Sequence, residues 1–427
     1  MSDVMLDIVN KPSLIAGDAI TALRHVPFEV SGVRIVAERL PAREALALYA
    51  PRLHDLSKRA LVPNLVHGAA ILAPALEYLD KENQSPDVIL AWQYLGETAE
   101  TNPKNKRLVG WLVVHRACAL PVIGPTYLKN WHHIQSYMGH PIVDRGNGDN
   151  ALAALFENAL TQTGASGRLM MSNVPGAGPI YDAILRVTSN NDLLIREIGR
   201  HQRAAMMCEF DGDTYLESAL TNKKRKEYRR LKNRLRDHGD LRFETFEEED
   251  DISSWIDDFL DLEGAGWKGR KQTAFNNRQD WTGFLKASTT DLAKNKQCKF
   301  WRLRLNNKTI AVTFAHHTGH RAWLSKITYD ENYARFSPGV LLMLEVTKAL
   351  GNDPLITEID SLATPDHPMI NRLWRQKIST TDIIISSNSP PAKTWFSITC
   401  GFIKFRRALR ARAKSLYHQY LKGAKND

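Results

Sequence analysis

Ser337-Pro338-Gly339 stands between a strand-like run ending at Tyr329 and the apolar run Val340–Leu350. Each residue type suits a helix start that meets an anion. A serine oxygen can accept from an unpaired first-turn amide. Proline at the first helical position gives up an N–H that would have no partner anyway, and glycine beside it lets a ligand approach the backbone. The exposed amides and positive end of such a helix form a phosphate site, and Arg335 just upstream adds a cation. A pyrophosphate-bearing molecule such as coenzyme A fits this pattern. The tripeptide alone is also an ordinary helix start. The strand–loop–helix setting after three antiparallel strands is what favours the ligand.

Other groups have the right types for chemistry. Gly266-Trp267-Lys268-Gly269-Arg270 follows a helix. A tryptophan beside two cations suits a sugar or a carboxylate through stacking and charge, or else Gly266 ends the helix and the ring is buried. His316 and His317 are adjacent on a strand, so one points to each face, to line a cleft or to sit in the core. Residues 223–236, KKRKEYRRLKNRLR, carry nine basic residues and one acid. They read as the solvated face of an amphipathic helix or as a surface for an acidic acceptor, a membrane or RNA.

The elements that position these groups follow from periodicity. Within the first half, strands are expected at Val33, Val88, Arg107, near Leu120, near Arg168 and near Ala204, with helices from Ala42, Asn64, Asn150 and Ile180. The second half repeats the order: a strand at Leu241, helices over 251–267 and 279–294, strands over 297–305, 309–317 and 321–329, a helix over 338–351, a strand over 355–362, a short helix over 367–376 and a strand over 381–386. Both halves therefore read β-α-α-β-β-β-α-β-α-β, an α/β (α+β) architecture of two tandem units, each a mixed, mainly antiparallel sheet flanked by helices. The expected layout is an N-terminal tail over 1–30, a first domain over 31–212, a basic connecting helix within 213–240, a second domain over 241–392 and a basic amphipathic helix over 393–427.

Bulk properties narrow the function classes. With 427 residues and 43% apolar content, the chain can bury a large core without staples. Cys118, Cys208, Cys298 and Cys400 form no CxxC or CxxH pair, which argues against a zinc site or a disulfide framework. The N-terminus has no basic segment ahead of an apolar core, and no apolar run approaches the roughly 20 residues that span a bilayer. A cytoplasmic protein is the expectation, with the inner membrane face as a second place of work through its basic helices. The net charge of +10 favours anionic partners.

Three stretches resemble a known family: FLDLEGAGWKGR over 259–270, ITYDENYARFSPGVLL over 327–342 and EIDSLATPDHPMINRLW over 358–374. Together with the basic segment leading into them, they resemble the GNAT-type acetyltransferases associated with bacterial cellulose and exopolysaccharide synthesis, the CelD/BcsL-like group, itself related to the FemAB aminoacyltransferases. The resemblance covers residues 215 to 390 and is weaker before that. It implies a GNAT fold, acetyl-CoA or another acyl-CoA as donor, no metal, and an amine on a sugar or peptide as acceptor, with nucleic acid not expected as a partner. It also implies that the acyl oxygen rests on backbone amides of strand 321–329. Lys326, Ile327 and the turn Arg335, Phe336, Ser337, Pro338, Gly339, Val340 and Leu341 would then hold the donor, and Trp267, Lys268 and Arg270 the acceptor. Tyr329 would give a proton to the departing thiolate, or pack as a sheet residue. Asp360 would take the amine proton, or cap a turn, and His316 is a further candidate in the cleft. The usual Q/R-x-x-G-x-G/A signature of GNAT enzymes is absent, and Met369–Arg372 stand where the group often has a Tyr-Lys pair. Transfer from aminoacyl-tRNA, as in FemAB enzymes, and a non-catalytic scaffold are the competing readings. The long coiled-coil insertion of many such enzymes is missing.

Overall fold

The computed structural model describes residues 26–30, 33–80, 85–95, 105–119, 125–161 and 167–423. In chain order the first elements are β1 (Val26–Val30), β2 (Val33–Pro41), α1 (Ala42–Lys58), α2 (Ala69–Tyr78), β3 (Asp87–Tyr94), β4 (Lys106–Cys118), β5 (Thr126–Asn130) and β6 (Ile142–Val143). Then come α3 (Gly148–Thr161), β7 (Arg168–Pro175), α4 (Pro179–Asn190), β8 (Leu193–Met207), α5 (Gly212–Ala219), α6 (Asn222–Arg236) and β9 (Leu241–Thr245). The remainder is α7 (Ile252–Ala265), α8 (Trp267–Arg270), α9 (Gln279–Lys294), β10 (Cys298–Leu305), β11 (Lys308–Thr318), β12 (Arg321–Tyr329), α10 (Pro338–Gly351), β13 (Glu358–Asp360), α11 (Ile370–Leu373), β14 (Gln376–Ser387) and α12 (Pro390–Gly423).

These elements divide into two compact units. Unit 1 takes residues 1–67, 81–200 and 381–427, and unit 2 takes 68–80 and 201–380. The division does not follow chain order: β8 and β14 each begin in one unit and end in the other, and α2 belongs to unit 2 although it lies early in the sequence.

Unit 1 orders its strands β1-β2-β3-β4-β5-β7-β14-β8, with β6 beside β4. The last five residues of the expected N-terminal tail are thus β1, antiparallel to β2. α3 and α4 bury Leu152, Leu155, Phe156, Ile180 and Ile184 against Ile89, Val109 and Leu112 of the sheet. β5 and β7 are parallel and share only the pairs Leu128↔Leu169 and Lys129↔Met170. Beyond these, the chain itself fills the gap. Asn130 Nδ2 donates to the carbonyls of Gly139 and Ser172 at 3.2 and 3.1 Å, Ser172 N donates to Asn130 Oδ1 at 2.9 Å, and Gly139 N donates to Asn173 O at 3.1 Å. A Cβ on Gly139 would stand 1.8 Å from the Ser172 carbonyl, so only glycine passes there.

Unit 2 orders its strands β8-β13-β12-β11-β10-β9, antiparallel except for β12 with β13. Each unit has a parallel pair that joins the strands on either side of a helix, β5 with β7 across α3 and β12 with β13 across α10. α10 covers one sheet face with Leu341, Leu342, Met343, Val346 and Leu350 among Ala311, Leu303, Leu324 and Ile359. The other face carries an aromatic stack. Phe300 lies on Phe314 at 4.8 Å, and Phe259 of α7 meets Phe314 edge-on at 5.2 Å.

Candidate functional site

β12 is the centre of the site. It pairs with β13 only through Arg321↔Glu358, Ala322↔Ile359 and Trp323↔Asp360. From Leu324 onward, its edge remote from β11 has no strand partner among the described residues. The register with β11 jumps from Thr313↔Ile327 to Ala315↔Leu324, so Ser325 and Lys326 together face Phe314 alone. That is a β-bulge in β12 at the point where the two parallel strands part. The bulge also resets which side chains face which layer. Leu324 and Ile327, three apart, both pack in the α10 layer, while Lys326 turns to the α7 side. Asp330 N donates to Ile310 O at 2.8 Å. By alternation along the strand, the backbone groups of Ile327 and Tyr329 then face the open edge, and Lys268 Nζ meets the Ile327 carbonyl there at 3.3 Å.

α10 begins beside the end of this strand. Ser337 takes the left-handed conformation (φ 53°, ψ 52°), and its side chain makes no capping bond. This corrects the expected side-chain cap: the carbonyl of Ser337 does that work, accepting from Val340 N at 2.9 Å and Leu341 N at 3.1 Å. Ser337 N donates to Ala334 O at 2.9 Å, so the Gly339 amide is the first-turn donor with no acceptor among the described residues. Gly339 packs closely, since a Cβ there would lie 3.2 Å from Tyr329 Cδ1 and 3.7 Å from Ile327 Cδ1. Phe336 and Pro338 are buried, with the Phe336 ring 5.1 Å from that of His238. Arg335 is exposed, its guanidinium 4.7 Å from the Phe336 ring.

On the opposite face, a buried charge cluster supports β12. The Glu263 side chain is fully buried, and its Oε1 lies 3.2 Å from both Lys268 Nζ and Lys326 Nζ. Its Oε2 accepts from Phe275 N at 2.8 Å. Lys326 also sits 4.1 Å over the Phe275 ring. Burial pulls the Lys326 ammonium below its ordinary range, Glu263 opposes that shift, and Lys268 adds to it. Burial likewise lowers His367, with the Lys268 charge a further cause. Sequence reasoning singled out both lysines but missed Glu263 and His367. The signal for Glu263 was its place on the apolar face of α7, two turns after Ile256 and one turn after Phe259 and Leu260, where an acid needs a partner.

The remaining candidates are placed as follows. Asp360 is buried at the branch of β12 and β13. Its Oδ2 accepts from Arg203 Nη1 at 3.1 Å and its Oδ1 from Leu362 N at 2.8 Å. Burial raises its carboxyl above the ordinary value, against the pull of Arg203. His316 is buried opposite Cys298 and Trp323, 5.4 Å from the Phe314 ring, and burial lowers it to about 4. His317, on the other face, is lowered to about 4 by burial and Lys299. Trp267 is exposed, and its amide donates to Glu331 Oε1 at 2.7 Å. Arg270 reaches Glu331 Oε2 at 2.6 Å. Arg270 and Glu331 border a cleft of about 590 Å³ between α7, the β10–β11 turn and residues 329–332. Its rim is ion-paired, Arg302 with Asp258 and Lys308 with Asp330, and Tyr329 lines it as well as packing on Gly339. Among the described residues, no group of three or more His, Cys, Asp or Glu could hold a metal.

A mixed sheet with a parallel pair that parts at a bulge, next to a helix N-terminus, gives unit 2 an α/β architecture similar to GNAT folds. The sequence comparison agrees: residues 222–367 match the family model described as an acetyltransferase (GNAT) domain. The match is to that domain as such. No curated protein matches the chain by sequence. Among solved structures, FemX is similar with a TM-score of 0.51 at 9% identity, over 82% of this chain and 96% of that one. The C-terminal domain of a putative lysylphosphatidylglycerol synthetase from Agrobacterium fabrum gives a TM-score of 0.47 at 12% identity, over 82% and 95%. A tandem GNAT protein from the clavulanic acid biosynthesis pathway gives 0.39 at 13%, over 83% and 99%.

Proposed function

We propose that unit 2 transfers an acyl group from an acyl-CoA thioester, acetyl-CoA in the simplest case, to an amine on a sugar or peptide precursor of the cell envelope, in the cytoplasm. The observation that supports this reading best is the edge of β12, open past the bulge and ending against the glycine start of α10. The residues fit such a donor. The unbonded Gly339 amide and the exposed Arg335 suit a pyrophosphate, and the edge of β12 at Ile327 and Tyr329, without a strand partner, suits an extended amide chain added as a strand. The corresponding gap in unit 1 is filled by the Gly139 segment, which favours unit 2 as the working half.

The donor supplies an activated acyl carbonyl, and the amine nitrogen forms the new C–N bond as the C–S bond breaks. The chain has to hold the developing oxyanion, take one proton and give one. Amides at the parting of β12 and β13 serve the oxyanion without any special side chain. Tyr329, between the cleft and Gly339, gives its hydroxyl proton to the departing sulfur. Asp360 takes the amine proton through water, exchanging one of its present hydrogen bonds for that water; its raised carboxyl suits a base that works nearer neutrality. His316 at about 4 is neutral at pH 7 and sits with the aromatic stack. The acceptor approaches through the cleft beside Trp267 and Arg270, with the Lys268–Glu263–Lys326 cluster holding β12 from below.

Titration with acetyl-CoA and longer acyl-CoAs tests the reading. A rise in melting temperature is expected, because a ligand of the folded state stabilises it, together with slower hydrogen exchange over residues 324–341. No rise with any acyl-CoA, or a rise with aminoacyl-tRNA instead, would overturn it.

A further inference from the structure

α12 has two apolar faces, and unit 1 uses one of them. Phe396, Cys400 and Ile403 are buried with Met170, Ile198 and Ile384. Arg407 pairs with Asp382 and donates to Ile198 O at 2.9 Å, and Arg406 donates to Cys118 O at 3.4 Å. These contacts fix the rotation of the helix and leave a second stripe outside. Trp395, Ile398, Phe402, Phe405 and Leu409 are all exposed, from 36% at Phe402 to 57% at Phe405. Their spacing of three and four residues confines them to roughly 80° of arc at about 100° per residue. Thirteen large apolar side chains are exposed among the described residues, and five of them lie on this stripe. Single exposed apolar residues are normal, but a contiguous row marks a surface that meets something.

Charge says what it meets. Residues 390–423 contain eight Lys or Arg and no Asp or Glu, and Lys393, Lys404, Arg410 and Arg412 are exposed. An apolar protein partner accounts for the stripe but not for a helix without acids. A nucleic acid accounts for the cations but not for Phe402, Phe405 and Leu409. An anionic lipid surface accounts for both, because aromatic and aliphatic side chains enter the interface while cations stay at headgroup level. No described helix is long and apolar enough to cross a membrane, so the helix would lie in the interface plane.

We propose that the Trp395–Leu409 stripe of α12 docks unit 1 onto an anionic lipid surface. The inference is independent of the transfer chemistry assigned to unit 2. The test is co-sedimentation of the full chain with phosphatidylcholine vesicles with and without phosphatidylglycerol. Binding is expected with the anionic vesicles only, weakening as salt screens the charges. Phe402→Ser/Phe405→Ser should abolish it, and Lys404→Glu/Arg410→Glu should weaken it at least about tenfold, both with an unchanged melting temperature because the Phe396–Ile403 face is untouched. Three results would overturn the proposal: no sedimentation with anionic vesicles, sedimentation undiminished by the serine pair, or a concentration-dependent dimer that needs Phe402 and Phe405 and binds no vesicles. Single-stranded RNA binding that survives the serine pair and displaces the protein from vesicles would likewise count against it.

Discussion

Glu263 offers the sharpest perturbation of the site's support. Its side chain is fully buried, and it compensates two ammonium groups, Lys268 at 19% and Lys326 at 38% side-chain exposure. Removing one partner of a fully buried ion pair costs about 3–5 kcal/mol, because the other charge stays behind. Here water reaches both lysines in part, and glutamine can still accept from Phe275 N. Glu263→Gln is therefore expected to cost about 2–3 kcal/mol. Urea unfolding, with hydrogen exchange over residues 259–276 and 321–329, reads this locally. Adding Lys326→Met should return about 1 kcal/mol, since neighbours in one network couple. The pH dependence gives an independent sign. Lys326 already titrates below its ordinary 10.5, so below that pH the unfolded chain binds more protons and stability rises as pH rises toward 10.5. Losing the carboxylate that opposes the shift widens this window downward, so the variant should recover stability with rising pH more than the parent does. A change under about 0.5 kcal/mol, or a variant with the parent's pH profile, would refute the cluster as a charge-balanced support of β12.

Other outcomes follow from the same structure. Asp360→Asn should remove an acid limb of the rate–pH profile that lies above the ordinary carboxyl value; in the parent, turnover falls as pH drops through that raised pKa, and a limb that survives the substitution would show that the base lies elsewhere. His316 is held neutral to about 4, so between 6.5 and about 4 the unfolded state binds the extra proton and stability falls with pH; the full effect is about 3 kcal/mol, measurable as a flatter melting-temperature profile in His316→Phe. Gly339→Val presses on Tyr329 and Ile327 and should cost about 1–3 kcal/mol, while abolishing the melting-temperature rise with acyl-CoA; Gly339→Ala needs a shift of only a few tenths of an ångström and should keep the fold. Arg302 bridges Glu244 and Asp258 and lies 3.9 Å from the Trp255 ring, so Arg302→Met should lower stability by about 2–3 kcal/mol, read by urea unfolding.

Local signals made much of this architecture legible. Gln279–Lys294 and Pro338–Gly351 carry their helical periodicity and, at the second, a Pro start, and both were bounded correctly from sequence. The three antiparallel strands expected over 297–305, 309–317 and 321–329 are β10, β11 and β12, because hairpins are written in adjacent residues. Where the hydrophobic pattern did not match hydrogen bonding, the reading drifted. The apolar stretch 355–362 contains only a three-residue strand: β12 pairs with it over Glu358–Asp360 alone, and past that point contact continues only on the β8 side, with Ser361 N donating to Ala204 O at 3.0 Å. β8 begins at Leu193 rather than near Ala204, because its polar first half is held by neighbours far away in the sequence.

The sequence by itself determined the order of elements, the duplicated plan, the helix that opens at Pro338 and the run of residues that bears the GNAT likeness. It could do so because periodicity, turn chemistry and helix-start signals act over a few residues. Only the tertiary structure decided that Ser337 caps through its carbonyl, that Ser325 and Lys326 bulge where β12 leaves β13, that Glu263 lies between Lys268 and Lys326, and that Gly139 closes the gap in unit 1. Each of these depends on what a distant segment places opposite, and burial changes the cost of a charge or an unpaired amide only once that segment has arrived.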